Sequence, residues 1–323
     1  MFKKFLLLTV VLTGLFSCKR DDKITLVEST GRINHLLVVM KNSDWDGAIG
    51  DSLVSILSKP LVGLPQEEAP FTITHVTPDN FSKLFNRNRN ILFFGVSDKD
   101  NYYTNSNVYS SPQTTITILG KDEKSLIDNL RKHEKELIKT YKEGDLKLYQ
   151  RKITKHHWDK KNVETFKNLG FSMKIPSTYN KVEDTGDFLW FRYPYSKGQM
   201  NIIGYAVPVK SEDDFNLLNI IKIRDSIGKN FIPGQFDNTF MTTEPLYTPM
   251  IKKLKLAGKE AIETRGLWYV ENDFMGGPFI SYTIYDKPGK RLIIIEGFVY
   301  SPATKKRDFV FELESILKTF SMK

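Results

Sequence analysis

PFISYTIYDKPGKRLIIIEGFVYSPATKKRDFVFELESILKTF, residues 278–320, holds two strands, the turn between them and a closing helix. Residues 278–286 and 291–300 are rich in β-branched and aromatic side chains, the composition of a pleated, buried surface. Between them Asp286-Lys287-Pro288-Gly289-Lys290 places proline before glycine in the order a type II turn prefers. Over 303–320 the period changes. Phe309, Leu313, Ile316, Leu317 and Phe320 then fall on one helical stripe. A hairpin followed by an amphipathic helix predicts an antiparallel sheet with a helix laid across it.

The same pattern extends upstream. Strands are expected at about 242–248 and 260–270, and earlier at Phe171–Ile175, Phe188–Tyr193 and Met200–Val207. Ser211-Glu212-Asp213-Asp214 reads as a capping box opening a helix that runs to about Asn230. Phe215, Leu218, Ile221 and Ile227 are expected to face inward, and Pro233-Gly234 ends the helix. The second half is therefore an α+β domain, a mostly antiparallel sheet with its helices on one face.

The first half alternates short apolar runs with helical spacing. HLLVVM (35–40), Phe71–Val76, Ile91–Val96 and Thr114–Leu119 read as strands. Ala48–Ser58 carries apolar residues at helical intervals, Pro78–Phe85 reads as a short helix, and 122–143 as one long helix striped by Leu126, Leu130, Leu137 and Tyr141. The charged interval 144–170 links the halves, as linker or continued helix. The chain is thus two α/β sandwich domains, 34–160 and 161–323, preceded by a signal peptide (1–17) and a tether (18–33).

The N-terminus supplies an address. Lys3 and Lys4 precede Phe5–Phe16, an apolar run of twelve residues. Spanning a bilayer takes about 20 apolar residues. The run matches the apolar core of a secretory signal peptide instead. Leu15-Phe16-Ser17-Cys18 resembles the bacterial lipobox, with Phe16 departing from the usual smaller residue at the tolerant position. Cys18 is the single cysteine of the chain, which excludes a disulfide framework. The resemblance implies thioether lipidation of Cys18, cleavage before it and an outer-membrane anchor, with the body at the cell surface or the periplasmic face. Lys19-Arg20-Asp21-Asp22-Lys23 resembles the charged tether that marks surface export in lipoproteins of Bacteroidota. Net charge falls from +9 to +7 once residues 1–17 are removed. Lysine is spread through every segment with no arginine-rich patch, so no nucleic-acid partner is expected.

The lipobox, GRINHLLVVM with DWDGAIGDSL (31–53), KPLVGLPQEEAPF (59–71), RNRNILFFGV (87–96) and IIIEGFVYSPATKKRDFVFELESILKTF (293–320) together resemble an uncharacterised Bacteroidota lipoprotein family, the domain of unknown function numbered 4837. That resemblance covers almost the whole chain. It implies a cell-envelope location and carries no activity, ligand or catalytic residue. FSMKIPSTY near the start of the second half and LESILKTF at its end resemble the Mog1/PsbP-like sandwich, a likeness of fold that does not imply function.

Chemistry-bearing motifs are sparse. The serine-hydrolase elbow, the zinc helix, the phosphate loop and the dinucleotide fingerprint are all missing from the sequence. No cofactor is expected. His156 and His157, in HHWD (156–159), are candidate ligands because imidazole and carboxylate bind zinc; a solvated linker explains them too. DFLWFRYPY (187–195) is dense in aromatics that can stack on sugar rings, with Trp190 and Arg192 as candidate ligand residues. Alternation sends Phe188, Trp190 and Arg192 to one face and Leu189, Phe191 and Tyr193 to the other, so one set is ordinary core. Phe274–Phe279 is a glycine loop with apolar tips. Asp44, Asp46 and Asp51 with Glu67-Glu68 could in principle pair for acid–base work, against a reading as helix caps and solvated loops. The function expected is a non-catalytic envelope binding or assembly module with a protein or glycan partner. The alternatives are an envelope hydrolase using carboxylates and a surface glycan-binding protein.

Overall fold

The computed structural model describes residues 26–209 and 211–322. Its first domain contains β1 (His35–Val39), α1 (Asn42–Trp45), α2 (Ala48–Leu57), β2 (Thr72–Val76), β3 (Asn90–Val96), β4 (Asn101–Ser106), β5 (Thr114–Gly120), α3 (Glu123–Lys132) and α4 (Glu134–Lys155). The sheet order is β2-β1-β3-β5-β4. The first four strands are parallel neighbours and β4 is an antiparallel edge. Leu36, Val38, Leu92, Ile116 and Ile118 meet Leu53 and Leu57 of α2, Leu126 and Leu130 of α3, and Leu137 and Tyr141 of α4 in one core. Val76 and the opposite-face residues Leu37, Val39 and Ile91 pack under Phe81, Phe85 and Phe93.

Two expectations are corrected here. The long helix of 122–143 is two helices. It breaks at His133, whose ring stacks on Tyr102 with centroids 4.1 Å apart. The segment 78–85 makes a single 3-10 turn at Pro78–Asn80 rather than a helix.

The second domain contains α5 (Glu164–Leu169), β6 (Phe171–Ser172), β7 (Asn180–Asp184), β8 (Phe188–Tyr195), β9 (Gly198–Pro208), α6 (Leu217–Phe231), β10 (Met241–Thr243), β11 (Met250–Leu256), β12 (Lys259–Val270), β13 (Gly276–Asp286), β14 (Arg291–Tyr300), α7 (Arg307–Leu317) and β15 (Ser321–Met322). Its main sheet runs β10-β12-β13-β14-β9-β8-β7, with β11 also on β12, and every pairing is antiparallel. The chain is α+β, as read from the hairpin and its closing helix.

The placement of the helices on one face is corrected in one respect. α5 and α7 share a face, where Phe166, Leu313, Ile316 and Leu317 meet Leu189, Phe191, Ile202, Ile293 and Ile295. α6 crosses the other face, where Ile223 and Ile227 lie beside Phe188, Ile203, Ile294 and Phe298. The cause is in β14, buried at every residue from Leu292 to Val299. A strand apolar on both sides needs a cover on both sides. The inward stripe of α6 shifts accordingly. Leu218 is exposed, while Arg224 and Gly228 are buried. Ser211 and Asp214 cap only a 3-10 turn, and Asn216 is the N-cap of α6, accepting from Asn219 N at 3.0 Å.

α4 joins the domains. Its first half packs in the first core through Leu137 and Tyr141, and its second half in the second core through Tyr149 and Ile153. A second tie comes from the loop between α2 and β2. Glu68, buried at 4% exposure, accepts from Lys306 N (2.6 Å) and Arg307 N (3.1 Å) at the start of α7. Helix N-termini carry orphan donors and favour a negative charge. Here the cap comes from the other domain. Glu68→Ala leaves two donors without acceptors and is expected to cost about 1–3 kcal/mol. Urea unfolding and amide exchange at 306–310 would read it. Unchanged stability together with unchanged exchange would show that Glu68 does not hold α7.

Candidate functional site

A cleft of about 260 Å³ opens where the second half of α4, the 176–179 loop, β8, β9 and α7 converge. The alternation of β8 supplies part of its wall. Tyr193 follows Leu189 and Phe191 on the α7 side of the sheet, while Trp190 and Arg192 go to the α6 side. Tyr179 lies 5.5 Å from Tyr193 between ring centroids. Tyr195 follows at 6.4 Å from Tyr193, and Phe309 of α7 stacks on Tyr195 at 4.9 Å. Tyr149 of α4 donates its hydroxyl to Glu312 of α7 at 2.7 Å. Lys152 and His156 stand exposed at the mouth.

The electrostatics follow from burial. Glu312 has its carboxyl held above the usual range by desolvation, which outweighs the hydrogen bond from Tyr149, and nearby Asp308 pushes the same way. Burial also raises the hydroxyls of Tyr149 and Tyr179 well above an ordinary phenol. The cleft therefore offers aromatic faces, neutral hydroxyls and one buried carboxyl acceptor. Among the residues lining it, Glu312 is the single carboxylate.

The sequence-derived candidates separate. His156 lines the cleft. His157 is exposed beside it, its Nδ1 3.1 Å from the Thr154 carbonyl. Trp190 is buried and donates Nε1 to Asn201 Oδ1 at 2.9 Å. Arg192 donates to the same oxygen at 3.2 Å and stacks over the Trp190 ring at 4.5 Å. These two form a packed polar knot on the opposite face and do not reach the cleft. Asp44 lies in the first turn of α1 and Asp51 in that of α2; Asp46 and Glu67 are exposed, and Glu68 caps α7. Phe274 stands fully exposed at the β12–β13 turn. Among the described residues, no group of three or more His, Cys, Asp or Glu is placed to share a metal ion. No described helix is long and apolar enough to cross a membrane. Cys18 and Lys19–Lys23 lie outside the described residues.

Glu312 and Tyr149 were not singled out from the sequence. Glu312 sits inside the apolar stripe of the closing helix, where an acid between Phe311 and Leu313 was a signal available to use.

Residues 157–319, about half of the chain and nearly all of the second domain, match the family described as a domain of unknown function, DUF4837. The chain belongs to that family. Residues 29–154 match a further domain of unknown function, DUF8532. The two matches meet at the end of α4, so the cleft is built mostly from DUF4837 residues with Tyr149, Lys152 and Ile153 added from the DUF8532 side. No curated protein matches the chain. Among solved structures, the Ran-binding protein Mog1p of Saccharomyces cerevisiae is similar at a TM-score of 0.32 and 8% identity, over 47% of this chain and 90% of that one. LpqN of Mycobacterium tuberculosis, involved in cell envelope biogenesis, is similar at 0.31 and 10%, over 47% and 83%. Human StAR-related lipid transfer protein 5 is similar at 0.25 and 9%, over 43% and 86%. These likenesses are faint.

Proposed function

We propose that the chain is a cell-envelope lipoprotein, anchored in the outer membrane through lipidated Cys18, and that its body is a non-catalytic module binding a glycan in the tyrosine cleft. The observation that carries the binding reading is the wall of Tyr149, Tyr179 and Tyr193 around the single carboxyl of Glu312. Aromatic rings offer flat apolar faces with a polar handle at one edge. A few placed polar groups among apolar walls is the usual make-up of a small-molecule site. Glycoside hydrolysis takes two carboxyls about 5–9.5 Å apart. One lining carboxylate favours binding over hydrolysis. The anchor reading rests on the basic start, the apolar run and the lipobox at 15–18.

The test has two arms. The purified full chain is screened against immobilised cell-surface glycans, and hits are measured by calorimetry with wild type, Tyr193→Ala and Glu312→Gln. A hit whose affinity falls about tenfold or more in both variants, roughly 1.4 kcal/mol, with melting unchanged, is the expected result. No hit, or hits indifferent to both residues, would refute the glycan reading. In cells, labelled palmitate should enter wild type and not Cys18→Ala. Equal labelling would refute the anchor reading on its own, leaving the cleft untouched.

A further inference from the structure

The face of α4 opposite the tyrosine cleft borders a second cavity. At about 100° per residue, Thr140, Gly144, Lys147 and Arg151 project from the side of α4 away from Tyr149, Ile153 and His156. The cavity, about 290 Å³, lies between this helix face, the β4 edge and the loop into β5. Apart from Pro112 and Gly144 its wall is lined by polar and charged side chains, Glu143 among them.

Two features of that wall are costly for the fold alone. Lys147 and Arg151 are like charges at i and i+4, a destabilising arrangement on a helix. Glu143, a carboxylate of the same wall, precedes Lys147 by one turn, but its side chain is 3.8 Å from Lys139, and among the described residues no carboxylate lies within ion-pair distance of Lys147 or Arg151. Gly144 sits in the middle of a helix, where glycine is disfavoured. A Cβ there would come 3.0 Å from Thr114 Oγ1, so the glycine lets α4 approach β5 beside the cavity. Arg89 is 93% buried in the wall. Its two terminal nitrogens are held by Asp145 (3.0 Å) and the Gly31 carbonyl (2.7 Å), while its Nε has no partner. Two cations without an ion-pair partner and an unsatisfied guanidinium nitrogen coincide at one cavity. Departures from local rules are expected at functional or strained sites.

We propose that this cavity is an oxyanion site, taking a phosphate- or sulfate-type group between Lys147 and Arg151, with the hydroxyls of Thr104, Ser106 and Thr140 as further donors. An anion there cancels the like-charge repulsion of the helix and meets charge-assisted donors. The group could be carried by a free molecule or by a lipid headgroup.

The experiment titrates the purified full chain with sodium phosphate and with sodium sulfate, each against sodium chloride at equal ionic strength, following backbone amide shifts. Saturable shifts confined to 104–114 and 140–151 are expected. The double variant Lys147→Gln/Arg151→Gln should weaken them about tenfold or more, with melting unchanged. Sedimentation with phosphatidylcholine vesicles, with and without phosphatidic acid, separates the sources. Sedimentation that needs both phosphatidic acid and the two cations assigns a headgroup, and phosphate saturation without it assigns a free molecule. Shifts equal in chloride, shifts elsewhere in the chain, or shifts unchanged in the double variant would overturn the proposal.

Discussion

Arg224→Met is expected to destabilise the second domain by about 3–5 kcal/mol at neutral pH, the cost of leaving one member of a buried ion pair alone. Arg224 is 3% exposed and Glu296 0% exposed. The guanidinium reaches Glu296 through Nε at 3.0 and 3.1 Å and through Nη2 at 2.8 Å. Nη1 donates to Thr243 at 2.8 Å, and the guanidinium carbon sits 3.9 Å from the Phe279 ring centre. The pair pins α6 to the face of β14. Burial already holds the Glu296 carboxyl above its usual range, with Arg224 opposing. Without Arg224 it rises further. Between the unfolded and folded pKa values the native state then holds a proton that the unfolded state lacks, so stability falls as pH rises through that window. The variant should therefore recover part of its loss between pH 7 and pH 5. Arg224→Met/Glu296→Leu should recover most of it at every pH, because replacing both charges by apolar groups is often neutral. Urea midpoints at the two pH values read all three. A loss below about 1 kcal/mol, or one equal at both pH values with no rescue in the double variant, would mean the pair does not hold α6.

The second large effect belongs to the first domain. Asp145, 0% exposed in α4, accepts from Arg89 Nη1 at 3.0 Å, the Asn34 backbone N–H at 2.8 Å and Asn90 Nδ2 at 3.2 Å. Asp145→Ala would strand a buried guanidinium and two amide donors at once, for a cost again of about 3–5 kcal/mol. Asp145→Asn keeps the shape and one acceptor and should cost less. Asn34 also donates Nδ2 to Asp308 of α7 at 2.9 Å, so the loss should loosen the domain junction as well as the first core. Domain-resolved amide exchange is the measurement. Faster exchange in β1, β3 and the first half of α4, with the β12–β14 meander unmoved, is the expected pattern. Uniform acceleration across both domains would refute an anchor local to the first.

Legibility from sequence followed the depth of burial. The β13–β14 hairpin and α7 were readable because their side chains are apolar at the period of their element. The edge strands β4 (NYYTNS), β7 (NKVED) and β11 (MIKKLKL) were not expected. β4 and β7 are polar, β11 alternates lysines with apolar residues at no clean period, and all three are largely exposed; an edge strand needs only one neighbour and few apolar residues. The apolar run LIIIEGFV was itself a signal that both faces of β14 are covered, and it places α6 opposite α7 once read that way.

By itself the sequence determined the two-part organisation, the antiparallel meander with its closing helix and the alternation that splits 188–193 between two faces. Those follow from local periodicity and composition, which each residue carries wherever the chain goes. Tertiary structure alone decided that α4 runs on to Lys155 and serves both cores, that Glu68 caps a helix of the other domain, and that Tyr149, Tyr193 and Glu312 share a cleft. Periodicity says which side of an element is buried but not what it is buried against. A site assembled from residues 149, 193 and 312 exists only once the elements that carry them have packed.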